Sequence, residues 1–160
     1  CVMGTPAGLE HPHRLAESYA MLDVMSGGRM EFAFPLGTPM EYWASNVNPV
    51  QAMIQILDNT DPAIVSMEMD VYWIITGGGD PIEYLRKHTG RYRLIHIKDM
   101  LGDSAHTMVD VGDGVVDWPA ILGEAKRAGA EHFIIEHDEP VDPLRSLRRS
   151  SRFVRSLALR

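Results

Sequence analysis

The chain has a single cysteine, at the first of its 160 positions, so no disulfide can form within it, and its composition fits a reducing compartment. It has no apolar stretch near the ~18 residues that a membrane span requires. The basic, apolar and small succession of a signal peptide is missing too. Positive charge is short: 15 Lys and Arg against 22 Asp and Glu leave a net charge of −7. That balance argues against general affinity for nucleic acid, because phosphate binding needs a positive face. No internal repeat or low-complexity tract is visible. The expectation is a soluble, cytoplasmic protein with no nucleic-acid or membrane partner. Length is the remaining shortage, since a closed (β/α)₈ barrel takes ~250 residues and rarely fewer than ~200. The chain opens Cys-Val-Met rather than on an initiator Met, which leads us to expect a start lying upstream.

What is present is a core-forming composition, 45% hydrophobic, arranged in a repeating order. Residues 11 to 25 place Leu15, Tyr19, Leu22 and Met25 at helical spacing before SGGR stops the helix. RMEFAF then has the pattern of a strand, PLGTPMEYWASNVNP that of a loop, and residues 50 to 57 that of a short helical turn. From residue 61 the order is more regular. A strand is expected from Ile64 to Val71, then a loop through YWIITGGGDP, with Asp80 capping a helix whose first residue is Pro81. The strand LIHIK, a polar loop, an Asp117-capped helix, the strand HFIIE and a helix started by Asp142-Pro143 follow. Strand and helix in alternation are the rhythm of a parallel α/β fold, here either part of a barrel or a smaller open sheet. In RSLRRSSRFVRSLALR, Leu144, Leu147, Val154 and Leu157 fall roughly on one helical face, with most of the arginines opposite. A solvated outer helix is the plain reading, and a phosphate, membrane-surface or partner-binding role is the alternative.

Three residues stand at the ends of three successive strand patterns: Asp70 closing AIVSMEMD, His96 in RLIHIKDM, and Glu136 in HFIIEHDEP. In parallel α/β folds ligands bind beyond the carboxyl ends of the strands. Asp, His and Glu gathered at one rim make a mixed oxygen and nitrogen set suited to Mn²⁺, Mg²⁺ or Co²⁺. Each has a plainer reading: Asp70 as a loop cap or a lysine's partner, His96 as a hydrogen-bonded core histidine, Glu136 as a strand-end carboxylate. Their recurrence at one point of three adjacent units favours a shared site. The strand period of two puts Glu68 on the face of Asp70, one layer deeper. Trp73 is placed either to wall a substrate or to pack under a loop. Gly77, Gly78 and Gly79 lack P-loop spacing and are expected in a flexible loop. Gly112 and Gly114 have the look of turn glycines, and His11 and His13 fit a helix start.

Residues from about 56 to 157 resemble the C-terminal part of the sugar phosphate isomerase/epimerase superfamily, the xylose-isomerase-like TIM barrels. TDPAIVSMEMDVYW, GGGDPIEYLRKHTGRYRLIHIKDM, VGDGVVDWPAIL and FIIEHDEPVDPLRSLRRS carry the resemblance. It implies that Asp70, His96 and Glu136 match the metal positions of the last three barrel strands, and that Glu136 also moves the proton. Residues 1 to about 51, through HPHRLAESYAMLDVMSGGRMEFAF and PLGTPMEYWASNVNP, are similar to the luciferase-like flavin- or F420-dependent monooxygenases. The chain thus reads as a junction near residues 50 to 57: a 1–51 monooxygenase-type βαβ segment and a 52–160 isomerase-type half-barrel.

The expectation is a partial (β/α) TIM-type barrel of about five parallel strands with outer helices, and its open sheet edges favour a homodimer. The function implied is metal-dependent isomerisation or epimerisation of a sugar or sugar phosphate through an enediolate, with Trp73, Lys98, Asp99 and His137 as substrate contacts. Isomerase relatives use a fourth ligand, a Glu on the strand before the one ending in Asp70, and that strand is absent or replaced; Glu31 on RMEFAF is the nearby candidate. Its loss would weaken metal binding. The alternatives are an FMN- or F420-dependent oxidoreductase fragment and a barrel fragment without catalysis.

Overall fold

In a computed structural model, which describes residues 2–4, 11–34 and 49–157, the chain divides between Thr60 and Asp61 into two units. In the first, β1 (Val2–Gly4) and β2 (Glu31–Ala33) pair in parallel, joined by α1 (Pro12–Ser26). Helix α1 ends as SGGR leads one to expect: Gly27 takes φ 70°, in the left-handed region, and its N–H bonds the Val24 carbonyl while Gly28 bonds that of Asp23. Tyr19 is buried on this helix and stands edge-on to Phe32 at 4.5 Å and Phe34 at 5.2 Å between ring centroids. Met25, expected beside it on the helical stripe, is exposed. The helical turn expected over 50 to 57 is a longer helix, α2 (Pro49–Asn59), which buries Met53 and Leu57 one turn apart. Residues 35–48, most of the PLGTPMEYWASNVNP loop, lie outside the described residues.

The second unit contains β3 (Met67–Asp70), α3 (Val71–Thr76), α4 (Pro81–Lys87), β4 (Tyr92–Ile97), β5 (Asp99–Met100), β6 (Met108–Val109), α5 (Trp118–Arg127), β7 (His132–Ile135) and α6 (Pro143–Ser156). All four of its helices begin on an aspartate whose side chain accepts an N–H of the first turn. Asp70 takes that of Trp73, Asp80 that of Ile82, Asp117 that of Ala120 and Asp142 that of Arg145. Proline sits in the first two positions of α4, α5 and α6, where its missing N–H costs nothing. Strands β3, β4 and β7 form one parallel sheet in that order. Each unit thus has its own parallel sheet, β1 with β2 in the first and β3, β4 and β7 in the second, an α/β fold whose sheet is not closed, as expected of a partial barrel.

Parallel register sets which side chains share a face. Asp70 is paired with His96, and His96 with Ile134. Ile95 and Ile97 are fully buried, while Leu94 and His96 on the opposite face keep partial exposure. Because side chains alternate along a strand, Glu68 and Asp70, then Leu94, His96 and Lys98, then Ile134, Glu136 and Asp138 are all directed to that same face. The buried side of the sheet joins Met69, Ile95 and Ile97 to a core that includes Leu85, Trp118, Ile121 and Leu122.

Several elements differ from expectation. The strand begins at Met67 rather than Ile64, because Asp61 turns the preceding chain: its carbonyl accepts the N–H groups of Ile64 and Val65, and its side chain that of Ala63. Val71 starts a helix, not the end of a strand, and VYWIIT is helical where a loop was expected. The polar stretch after β4 holds the antiparallel pair β5 and β6. In α6, Leu144 and Leu147 are exposed, while Ser146 and Ser150 are the buried residues. Ser150 receives the Val111 N–H at 3.0 Å and Ser146 meets the His137 ring, so hydrogen bonding rather than apolar contact seats the start of this helix. Among the described residues, no helix is long and apolar enough to cross a membrane.

Candidate metal centre

Asp70 closes β3, His96 is the fifth residue of β4, and Glu136 follows β7, where its N–H continues the ladder by bonding the Ile97 carbonyl at 3.1 Å. One ligand atom from each of the three lies within 4.8 Å of the other two, and all three residues are half-buried. His96 Nδ1 is 3.7 Å from Asp70 Oδ2 and 2.5 Å from Glu136 Oε2. Donors about 2.1 Å from one ion and at right angles to each other stand about 3 Å apart, so these separations bracket what a shared cation needs. Glu136 Oε2 is buried without a hydrogen-bond partner, although His96 Nδ1 and, at 3.2 Å, Lys98 Nζ are both near it. Its contacts with these two bases are ion pairs without hydrogen-bond alignment, so this buried oxygen keeps a lone pair that a cation would engage. The donor set and the orphaned oxygen therefore fit a divalent metal.

The surrounding charges have definite partners. Lys98 is 4% exposed and its ammonium lies 3.1 Å from Asp70 Oδ2, 3.2 Å from Glu136 Oε2 and 3.0 Å from Asp138 Oδ1. Burial works against its charge, but the Asp138, Asp70 and Glu136 carboxylates outweigh it and hold the ammonium above the usual lysine range. For Asp70 burial is likewise the largest influence, and His96, Lys98 and the Trp73 N–H overcome it, keeping the carboxyl below its ordinary value. His96 is shifted upward, chiefly by Asp70, against burial and with help from Glu68 and Glu136. Its other ring nitrogen, Nε2, stands 2.5 Å from Glu68 Oε1.

The remaining expected contacts are distributed differently. Asp99 is fully buried and faces away from the cluster: its carboxylate accepts N–H groups from Met100, Gly112, Val116 and the Trp118 indole. These four bonds use its acceptor capacity to shape the chain after β4 and the loop after β6, away from the other residues expected as substrate contacts. A Cβ on Gly114 would collide with that carboxylate and with the Met100 carbonyl, so this glycine is required by close approach rather than by a turn. His137 points to a different set, with Nδ1 3.3 Å from Asp110 Oδ1 and 3.1 Å from Ser146 Oγ. Trp73 is half-exposed, one turn after Asp70, its ring edge-on to Tyr72 at 5.0 Å. Lys98 joins the cluster as a counter-charge. Glu31 lies on β2, in the first unit.

Asp138 and the approach of Glu68 to His96 were not singled out from the sequence. The period of two running on from Glu136 places Asp138 on the site face, and the same count already gave Glu68. Neither count says which base or acid stands opposite, because those partners are 40 and 28 residues away along the chain.

An acid, imidazole and acid group at the carboxyl ends of adjacent parallel strands defines the class: an α/β protein with a cluster at the strand ends that could hold a metal ion. The model of the xylose isomerase-like TIM barrel family matches residues 38–157, and the chain belongs to that family. The match begins upstream of the junction expected near residues 50 to 57, so it takes in part of the segment that was expected to be monooxygenase-like. Inosose dehydratase of Geobacillus thermodenitrificans is 24% identical over 115 residues, covering 61% of this chain and 39% of that protein. A sugar phosphate isomerase/epimerase from Parabacteroides distasonis superposes with a TM-score of 0.58 at 27% identity, over 67% of this chain and 36% of that one. A xylose isomerase domain protein from Planctomyces limnophilus reaches a TM-score of 0.65 at 21% identity, over 98% of this chain and 59% of that one, a likeness of fold. The chain thus spans between about a third and three fifths of the length of these relatives.

Proposed function

We propose that Asp70, His96 and Glu136 hold a divalent cation, Mn²⁺, Mg²⁺ or Co²⁺, and that the site interconverts isomers or epimers of a sugar or sugar phosphate. The observation that carries this reading is the convergence of the three donors, with Glu136 Oε2 buried and lacking a hydrogen-bond partner. When bound, the cation supplies Lewis-acid polarisation of a carbonyl and the hydroxyl beside it. Glu136 takes the proton from the carbon next to that carbonyl and returns it on the same face to the former carbonyl carbon, while the hydroxyl proton passes to the carbonyl oxygen. That outcome is isomerisation through an enediolate; epimerisation takes the returning proton from a second acid on the opposite face. Lys98 offsets the charge of Asp70, Glu136 and Asp138, so that three carboxylates coexist in a half-buried space. Half-exposed Trp73 offers an apolar wall to the C–H face of a sugar ring.

The test is solvent exchange. A ketose such as D-fructose, incubated in D₂O with the protein and Mn²⁺, should gain deuterium on the carbon beside its carbonyl, and Glu136→Gln should stop it. Exchange undiminished in that variant would remove Glu136 from the proton transfer. A yellow protein that retains flavin through purification would instead favour the monooxygenase-like reading of residues 1 to 51.

A further inference from the structure

His96 presents two nitrogens to two different sets of carboxylates. Nδ1 faces Asp70 and Glu136, whereas Nε2 lies 2.5 Å from Glu68 Oε1. Glu68 precedes Asp70 by two on β3, on the same face and one layer deeper, and its backbone is fixed by register opposite Leu94. Its side chain keeps 44% exposure. A glutamate so open to water can satisfy its charge in solvent, and here it is turned onto the imidazole instead. We propose that Glu68 is a positioning residue, accepting the Nε2 proton of His96 and so keeping Nδ1 free to ligate beside Asp70 and Glu136.

This rests on the metal reading above and extends it to the residue behind the ligand. A neutral imidazole carries one proton and one lone pair, and whichever nitrogen holds the proton cannot ligate. Without an acceptor behind the ring, the two carboxylates in front would draw the proton to Nδ1 and block it. An acceptor on Nε2 reverses that preference and also fixes the ring's rotation, as carboxylates behind metal-bound histidines do elsewhere. Since Glu68 approaches the nitrogen turned away from Asp70 and Glu136, it stands behind the ring rather than among the ligands.

Two variants and two measurements test the assignment. Mn²⁺ affinity of the purified chain, by calorimetric titration, should fall ~10- to 100-fold in Glu68→Ala. Glu68→Gln, whose amide oxygen still accepts from Nε2–H, should recover most of that loss. Separately, ¹⁵N NMR of the His96 ring in metal-free protein at alkaline pH should show the proton on Nε2 in the unmodified chain and in Glu68→Gln, and displaced from it in Glu68→Ala. Wild-type affinity in Glu68→Ala, a Gln variant as weak as the Ala variant, or a ring proton indifferent to position 68 would each overturn the role of Glu68. Failure of the unmodified chain to bind Mn²⁺ would bring down the metal reading, while the NMR result would still decide what Glu68 does to the ring.

Discussion

Asp70 and His96 are register partners on adjacent parallel strands, with Asp70 Oδ2 3.7 Å from His96 Nδ1. Strand pairing alone brings these two into reach, and Glu136 joins them because β7 pairs with β4 in the register that sets Ile134 opposite His96. The donors are thus held by a sheet ladder, the kind of rigid support that keeps ligands from splaying apart. Asp70 also caps α3 through its other oxygen, Oδ1, so its side-chain rotamer is held from two sides.

Stability should depend on pH in opposite ways with and without metal. The folded-state pKa of His96 is raised above its ordinary 6.5. A raised value contributes stability that is complete below the unfolded pKa and is lost as pH climbs through the folded one. The metal-free protein should therefore lose the His96 contribution above pH 6.5, while Mn²⁺, which needs the ring deprotonated, should stabilise more strongly over that same climb. Melting curves across this range, with and without Mn²⁺, should diverge upward in pH. Curves that stay parallel would disconnect His96 from the metal.

Lys98→Met should destabilise the metal-free protein by about 3–5 kcal/mol, because it strips the shared cation from Asp70, Glu136 and Asp138. Mn²⁺ restores positive charge at the same place, so the variant should show a larger metal-induced rise in Tm than the unmodified chain. An equal or smaller rise would mean that Lys98 does not balance the site's charge.

Asp99→Ala separates structure from chemistry. It leaves buried N–H groups of the following loop without their acceptor, and the loss should be on the order of 3 kcal/mol in denaturant unfolding. At a temperature where the variant is folded, its Mn²⁺ affinity should match that of the unmodified chain. A selective loss of metal binding would return Asp99 to the site.

Much of this was legible because it is local. Asp-Pro pairs mark helix starts through one side chain and one missing N–H, and alternation along short strands marks which residues share a face. That is why Asp70, His96 and Glu136 stood out together and why Asp142 and Asp117 were placed correctly. VYWIIT was harder, since β-branched and aromatic residues favour strands, and the cap that Asp70 gives the Trp73 N–H turns the chain helical against that preference. The buried face of α6 was obscured for a different reason. Leu144 and Leu147 outweigh Ser146 and Ser150 on any apolar scale, yet the serines are buried because Val111 and His137 offer them partners from distant parts of the chain. Asp99 adjoins the site in sequence but turns to the opposite side, as the alternation that sets Lys98 inward requires.

Strands β3 and β7 are the outer strands of the three-stranded sheet among the described residues. Open parallel edges pair readily with other chains, so the protein should self-associate with rising concentration, seen as a dimer by light scattering after size exclusion. A concentration-independent monomer would argue that these edges are covered.

The central claim is that Asp70, His96 and Glu136 ligate one divalent cation, and the most direct measurement is calorimetric titration of Mn²⁺ into the unmodified chain and into His96→Ala, with Tm followed in parallel. One ion per chain should bind and raise Tm in the first, and both heat and shift should vanish in the second. No binding by the unmodified chain, or equal binding by both, would contradict the account.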